Sequence, residues 1–196
     1  MTLLIYCLVG YGALYLVIWL HEVGHGLVYS KYDCKDNPFN VHVPFYLFFS
    51  TPQPVKIENV QLLSKKQHFH VGMAGIIMNL SCGVPVALLL LSAEFQASLL
   101  FFFIYSVTLF HLVEAVTYLT VSNLFLSSDM ITVQQYKPKL RIPLFIIGVM
   151  IIVIIIMLVT ESPTKWRIPY IVSIFIMMSC MVLGRYIFTK KAQVNK

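Results

Sequence analysis

Residues 3–28 read LLIYCLVGYGALYLVIWLHEVGHGLV, and this stretch decides the fold. It is aromatic and aliphatic up to Leu20, then closes on His21-Glu22-Val23-Gly24-His25. A run of this length suits the ~20 residues that cross ~30 Å of hydrocarbon. On a helix, residues four apart lie about 40° apart around the axis. His21 and His25 therefore share a face and are close enough to hold one metal ion. Ionisable side chains inside hydrocarbon are expensive, so their presence asks for a function.

The rest of the chain repeats the apolar theme. Of its 196 residues, 59% are hydrophobic and 11% are charged, with a mean hydropathy of +0.82. Soluble domains carry roughly 25% charged residues. The composition predicts an integral, all-α membrane protein. Apolar runs at about 3–28, 71–91, 97–121, 142–159 and 168–188 predict a bundle of about five transmembrane helices in one membrane-embedded domain. Ser92-Ala93-Glu94 reads as a short turn between the second and third. The length leaves no room for a separate soluble domain. The net charge of +6 fits positive loops beside a lipid bilayer. No basic cluster carries a recognition motif, which argues against nucleic acid as a partner.

Loop charge predicts an orientation. Numbering the compartments alternately puts Lys31, Lys35, Lys56, Lys65, Lys66, Lys137, Lys139, Arg141, Arg185, Lys190, Lys191 and Lys196 on one side. Only Lys165 and Arg167 fall on the other. By the positive-inside rule the first side is cytoplasmic, the N-terminus is outside and the C-terminus inside. The metal motif then lies toward the cytoplasmic end of the first span of a multi-pass cell-membrane protein. The N-terminus lacks a basic region, so no cleavable signal peptide is expected. Cys7, Cys34, Cys82 and Cys180 form no C-x-x-C pair and read as small buried hydrophobes. The many Phe and Tyr, with Trp19 and Trp166 near span ends, read as packing and belt residues.

The segment after the first span alternates imperfectly at Phe39-Asn40-Val41-His42-Val43-Pro44-Phe45 and again at Val55-Lys56-Ile57-Glu58, around a Thr51-Pro52-Gln53-Pro54 turn signal. It predicts a short membrane-associated β-hairpin over about 38–62. Tyr46-Leu47-Phe48-Phe49 is too short to span and reads as dipping into the interface. The segment is either a linker or an exposed strand edge able to pair with an extended peptide. His42, His68 and His70 have no metal-ligand spacing to the core motif.

His-Glu-x-x-His is the pattern of zinc peptidases. Hydrolysis at zinc needs three protein ligands and one open position for water. His21 and His25 supply two. Glu22 is the candidate catalytic residue, accepting the water's proton and returning it to the leaving amine. Gly24 and Gly26 bare the helix for close packing. From the residues alone the third ligand is open. His111 and Glu114, three apart in the third span, share a face at a depth similar to His21. Glu114 is a candidate ligand. The pair equally suits a water-filled cavity lining, a support for a ligand histidine, or an internal hydrogen bond.

Three motifs in order give the chain a resemblance. His21-Glu22-Val23-Gly24-His25-Gly26 is followed by Ala74-Gly75-Ile76-Ile77-Met78-Asn79, then by Asn123-Leu124-Phe125-Leu126-Ser127-Ser128-Asp129. Over its first two-thirds the chain resembles the site-2 protease family of membrane-embedded zinc metallopeptidases. The resemblance implies one Zn2+ per chain, held by His21, His25 and Asp129. It implies a substrate-orienting or oxyanion role for Asn79, whose alternative is an interhelical hydrogen bond. Asn123 is read as supporting the backbone around Asp129. The sequence departs from the family at Met130, where glycine is usual. It departs again near Leu126, where the family carries a helix-breaking proline.

The implied function is a zinc metalloendopeptidase that cuts a membrane-anchored or membrane-associated polypeptide near the cytoplasmic face. A regulatory membrane protein is an implied further partner. Two other readings stand beside it. One is a catalytically inactive relative that binds metal or a partner membrane protein. The other is a small ion-handling membrane protein using His21, His25, His111 and Glu114 as a relay; the nearly pure aliphatic fourth span argues against it.

Overall fold

A computed structural model describes residues 3–47, 49–92 and 98–194, with side chains described for 4–47, 49–92 and 98–187. Phe48 of the interfacial stretch, Ala93 and Glu94 of the expected turn, Ala97 and Lys196 lie outside the described residues. The helices run α1 (Leu3–Lys31), α2 (Ile57–Gln61), α3 (Lys65–Ser92) and α4 (Leu99–Thr117), then α5 (Asn123–Phe125), α6 (Asp129–Tyr136), α7 (Arg141–Glu161) and α8 (Thr164–Val194). Among the described residues, five helical stretches are long and apolar enough to cross a membrane: Leu4–Lys31, Lys65–Ser92, Leu99–Phe125, Pro138–Glu161 and Thr164–Ile187. The chain is an all-helical, multi-pass membrane protein. Its helices run past the expected span ends, so His68 and His70 lie on the first turns of α3 rather than in a loop.

α4 is the central helix. It packs against α1, α3, α7 and α8, and Tyr105, Leu109, Leu112 and Val113 on it are fully buried. Small residues let the backbones close in. A Cβ on Gly24 would lie 2.8 Å from the Ala74 carbonyl oxygen, so the glycine sets the α1–α3 approach. At the far end of the bundle Tyr6, Phe102, Trp166 and Tyr170 form an aromatic layer, with Phe102 and Tyr170 stacked at 5.6 Å. Trp166 is buried there, in the core rather than in an interfacial belt. None of the four cysteines is disulfide-bonded, and Cys7 is exposed.

The expected β-hairpin does not form. Among the described residues the segment holds one antiparallel bridge, with His42 and Thr51 each donating N–H to the other's carbonyl at 3.0 Å. The reasons are local. Pro44, Pro52 and Pro54 have no N–H to extend a ladder. Leu47 and Phe49 take positive φ values of 66° and 63°, which turn the chain out of the extended region. Ile57–Gln61 is helical rather than extended. With no strand among the described residues, there is no strand edge for a peptide to join. The segment is held instead by Lys35, only 4% exposed. Its ammonium donates to the carbonyls of Asn40 at 2.6 Å, Pro52 at 2.7 Å and Pro54 at 2.8 Å. Burial alone lowers the Lys35 pKa.

α4 does not run on to Asp129. Its last turn widens into a π-helix over Tyr118–Ser122, then α5 adds one short turn. Leu126 adopts the left-handed conformation (φ 50°) and ends the helix, and Ser128 (φ 53°) turns the chain into α6. Asn123 stitches this corner together. It donates to the carbonyls of Leu119 at 3.1 Å and Arg141 at 2.7 Å, and accepts from Gln134 of α6 at 2.7 Å.

Candidate metal centre

His21 and His25 point from α1 toward α3 and α6. Their Nε2 atoms are 3.1 Å apart. Asp129 Oδ2 lies 3.3 Å from His25 Nε2 and 3.7 Å from His21 Nε2. These three donors form a compact group that could hold a metal ion. Two N or O donors at ~2.0–2.1 Å from one tetrahedral ion stand about 3.3 Å apart. The observed triangle brackets that spacing, so the residues fit an ion without rearrangement of the backbone.

A glycine keeps the space open. A Cβ on Gly75 would lie 2.6 Å from His21 Nε2 and 2.7 Å from His25 Nε2, crowding the two donor nitrogens. Gly72, one turn earlier on α3, similarly admits α6: its Cβ would overlap Thr132 Oγ1 and lie 2.9 Å from the Asp129 carbonyl oxygen. The sequence places these glycines on one face of α3, three residues apart.

Both imidazoles are aimed by partners behind them. His25 Nδ1 is 2.8 Å from the Val71 carbonyl, so it carries the hydrogen and leaves the Nε2 lone pair facing Asp129. His21 Nδ1 is 3.0 Å from Asn79 Nδ2, and Asn79 Oδ1 is 2.9 Å from His111 Nδ1. In this arrangement His21 accepts from the amide and donates from Nε2 to His25. Turning the Asn79 amide by 180° would present Oδ1 to His21, move the imidazole hydrogen to Nδ1 and free Nε2 for an ion. Oδ1 facing His21 is the amide orientation that suits a bound ion.

The candidate residues of the sequence separate into groups. His21, His25 and Asp129 come together. Glu114 does not join them: its Oε1 faces His21 Nδ1 at 3.8 Å, behind the ring. Asn79 is fully buried against His21 and His111, outside the cavity wall. His111 Nε2 and Glu114 Oε2 are buried without hydrogen-bond partners. Glu22 is 8% exposed and lines the same cavity as His25 and Asp129.

That cavity has a volume of about 420 Å³. Its walls come from α1 (Ile18, Glu22, His25), α6 (Asp129, Ile131) and α8 (Met181, Arg185), with Leu47, Phe49 and Thr51 of the connecting segment over it. Two of its residues were missed by sequence reasoning. Tyr118 stacks on His21, with ring centroids 5.0 Å apart and planes 9° apart. The Arg185 guanidinium carbon sits 3.4 Å from the Tyr118 ring centroid. Arg185 had entered only as a loop charge. The available signal was an arginine inside an apolar run.

The chain matches no protein-family model, no curated protein and no solved structure.

Proposed function

We propose that the protein is a membrane-embedded zinc metalloendopeptidase of the site-2 protease kind. The supporting observation is the donor triangle of His21, His25 and Asp129 with Glu22 in the wall of the same cavity. Two imidazoles and one carboxylate suit zinc, and a hydrolytic zinc site has this count of protein ligands. A bound zinc would polarise the peptide carbonyl and lower the pKa of water in the cavity.

The chain's own residues supply the rest. Glu22 takes the proton of the attacking water and returns it to the leaving nitrogen. Asn79 aims His21 through Nδ1 and is read as acting on the ligand, not on the substrate. His111 backs Asn79. Asn123 holds α6, and hence Asp129, against the bundle. The cavity volume admits a few residues of extended chain beneath Leu47, Phe49 and Thr51, so the substrate is an unwound stretch of a membrane-anchored or membrane-associated polypeptide. By the loop-charge rule the cavity faces the cytoplasm, with the N-terminus outside.

The experiment compares the wild type with Glu22→Gln after purification in nanodiscs. Both are expected to hold one zinc per chain, and only the wild type to cleave a co-expressed membrane-anchored reporter. Cleavage that persists in Glu22→Gln sinks the assignment to this motif. Zinc retained without cleavage in either protein favours the inactive relative.

A further inference from the structure

The geometry points to Arg185 as the binding residue for a carboxylate of the peptide that enters the cavity. The inference rests on the peptidase reading of that cavity and names a substrate class for it: peptides bearing an acidic side chain or a free C-terminus close to the cut.

Arg185 sits near the end of the last membrane-crossing stretch, where an arginine would ordinarily snorkel outward to water. It turns inward instead. Its guanidinium covers Tyr118, which in turn stacks on the metal-facing histidine His21. Nη1 donates to Thr117 Oγ1 at 2.7 Å and lies 3.3 Å from Ser122 Oγ, so the π-helical turn of the third span fixes the fork. Among the described residues the hydrogen-bond partner of Nη2 is the Met181 sulfur, at 3.8 Å. Among the described residues Arg185 forms no ion pair. A rigidly held cation without a carboxylate, at the level of the donor triangle, has its charge available to an incoming group.

Chemistry selects that group. A guanidinium presents paired N–H donors that match the two oxygens of a carboxylate. Among the described residues Arg185 is the one Lys or Arg side chain in the cavity wall. Of the other ionisable groups there, Glu22, Glu114 and Asp129 carry carboxyls, and His25 belongs to the donor triangle. They leave Arg185 as the place where an anionic group can be accepted. Tyr118 separates the guanidinium from His21, which offsets the anion from the donor triangle and lets a neighbouring peptide bond reach it.

The test measures binding rather than turnover. The full chain carrying Glu22→Gln is placed in nanodiscs with zinc supplied, so that bound peptides are not consumed. The probes are short labelled peptides of alanine, leucine and phenylalanine. Each carries one glutamate walked along the sequence or the matching glutamine, with its C-terminus free or amidated. At least one carboxylate peptide is expected to bind about tenfold tighter than its neutral counterpart, as a charge-assisted hydrogen bond allows. The glutamate walk and the free-versus-amidated pair distinguish a side-chain from a terminal carboxylate. The gap should close in Arg185→Gln and shrink in Arg185→Lys, which keeps charge but loses the fork. A purely structural arginine would leave the gap intact. No gap with Arg185 present, or a gap unchanged in whichever variant folds, overturns the inference. Cleavage of the same peptides by the chain with Glu22 intact is scored separately. A preserved gap without cleavage sinks the peptidase reading alone; cleavage without a gap sinks the role of Arg185 alone.

Discussion

Gly75 lies so close to His21 that any side chain at position 75 would enter the metal-binding space. A Cβ there would be 2.5 Å from His21 Cε1 and 2.6 Å from Nε2. The α3 backbone itself forms the floor of the donor triangle. Gly75→Ala should therefore expel a bound ion or rotate both imidazoles. The expected loss in zinc affinity is at least the about 10–100-fold seen on removing an outer partner of a metal ligand. Zinc content per folded chain checks it, with Gly10→Ala as the control, since nothing lies within 4 Å of a Cβ at that glycine. Full zinc occupancy in Gly75→Ala would show that the triangle is not the metal site.

Asn79 distinguishes two roles that the sequence left open. Its amide is bonded to His21 and His111 and is fully buried. Asn79→Leu should leave His21 Nδ1 without its partner and lower zinc affinity by about 10–100-fold. At saturating zinc, cleavage should largely recover. If zinc binds as in wild type while kcat collapses, Asn79 acts on the substrate and the family-implied oxyanion role is the right one.

Lys35 holds the segment over the cavity. Three carbonyls converge on one buried ammonium, and removing the charge leaves Asn40, Pro52 and Pro54 without that donor. Lys35→Met should destabilise the segment by about 3 kcal/mol, less than three charged hydrogen bonds at about 1.5–3 kcal/mol each would sum to, because water takes over part of the freed carbonyls. Brief proteolysis should then cut between residues 39 and 54 much faster than in wild type. Zinc content should stay the same, because Lys35 touches none of the donors. Equal proteolysis rates would show that the bridge between His42 and Thr51 suffices.

The spans and the pairing of His21 with His25 on one helix face were legible because they rest on short-range pattern. Apolar runs predict membrane helices almost without tertiary context, and His21 with His25 needs only the helical period. The hairpin was not legible as it is. Alternation at Phe39 to Phe45 suggested strands, but the side chain that orders the segment, Lys35, looked like a loop charge. Glu114 against Asp129 was undecided for a different reason. Both fall near His21 by depth, and only the turn of the chain at Leu126 and Ser128 brings Asp129 to the Nε2 side while Glu114 stays behind the ring. Tyr118 and Arg185 depend on a contact between the third and fifth spans, which no local pattern reports.

Leu126 makes the last prediction, and here sequence resemblance and geometry disagree in sign. The resemblance marks this neighbourhood as one where a proline ends the helix, so Leu126→Pro looks conservative. The structure has Leu126 at φ 50°, whereas proline is fixed near −65°. A left-handed leucine costs roughly 1–2 kcal/mol that glycine avoids. The side chain is 41% exposed, so little packing is lost on removing it. Leu126→Gly is therefore expected to raise stability by about 1 kcal/mol, less the entropy that glycine adds to the unfolded chain. Leu126→Pro should lower it by about 3 kcal/mol and, by rerouting the chain before Ser128, withdraw Asp129 from the two histidines. Thermal unfolding in nanodiscs gives the stability order, and zinc titration reports the ligand. A stable, zinc-replete Leu126→Pro would mean that the chain reaches Asp129 by the family's route, and that the left-handed turn at Leu126 is not what aims the third ligand.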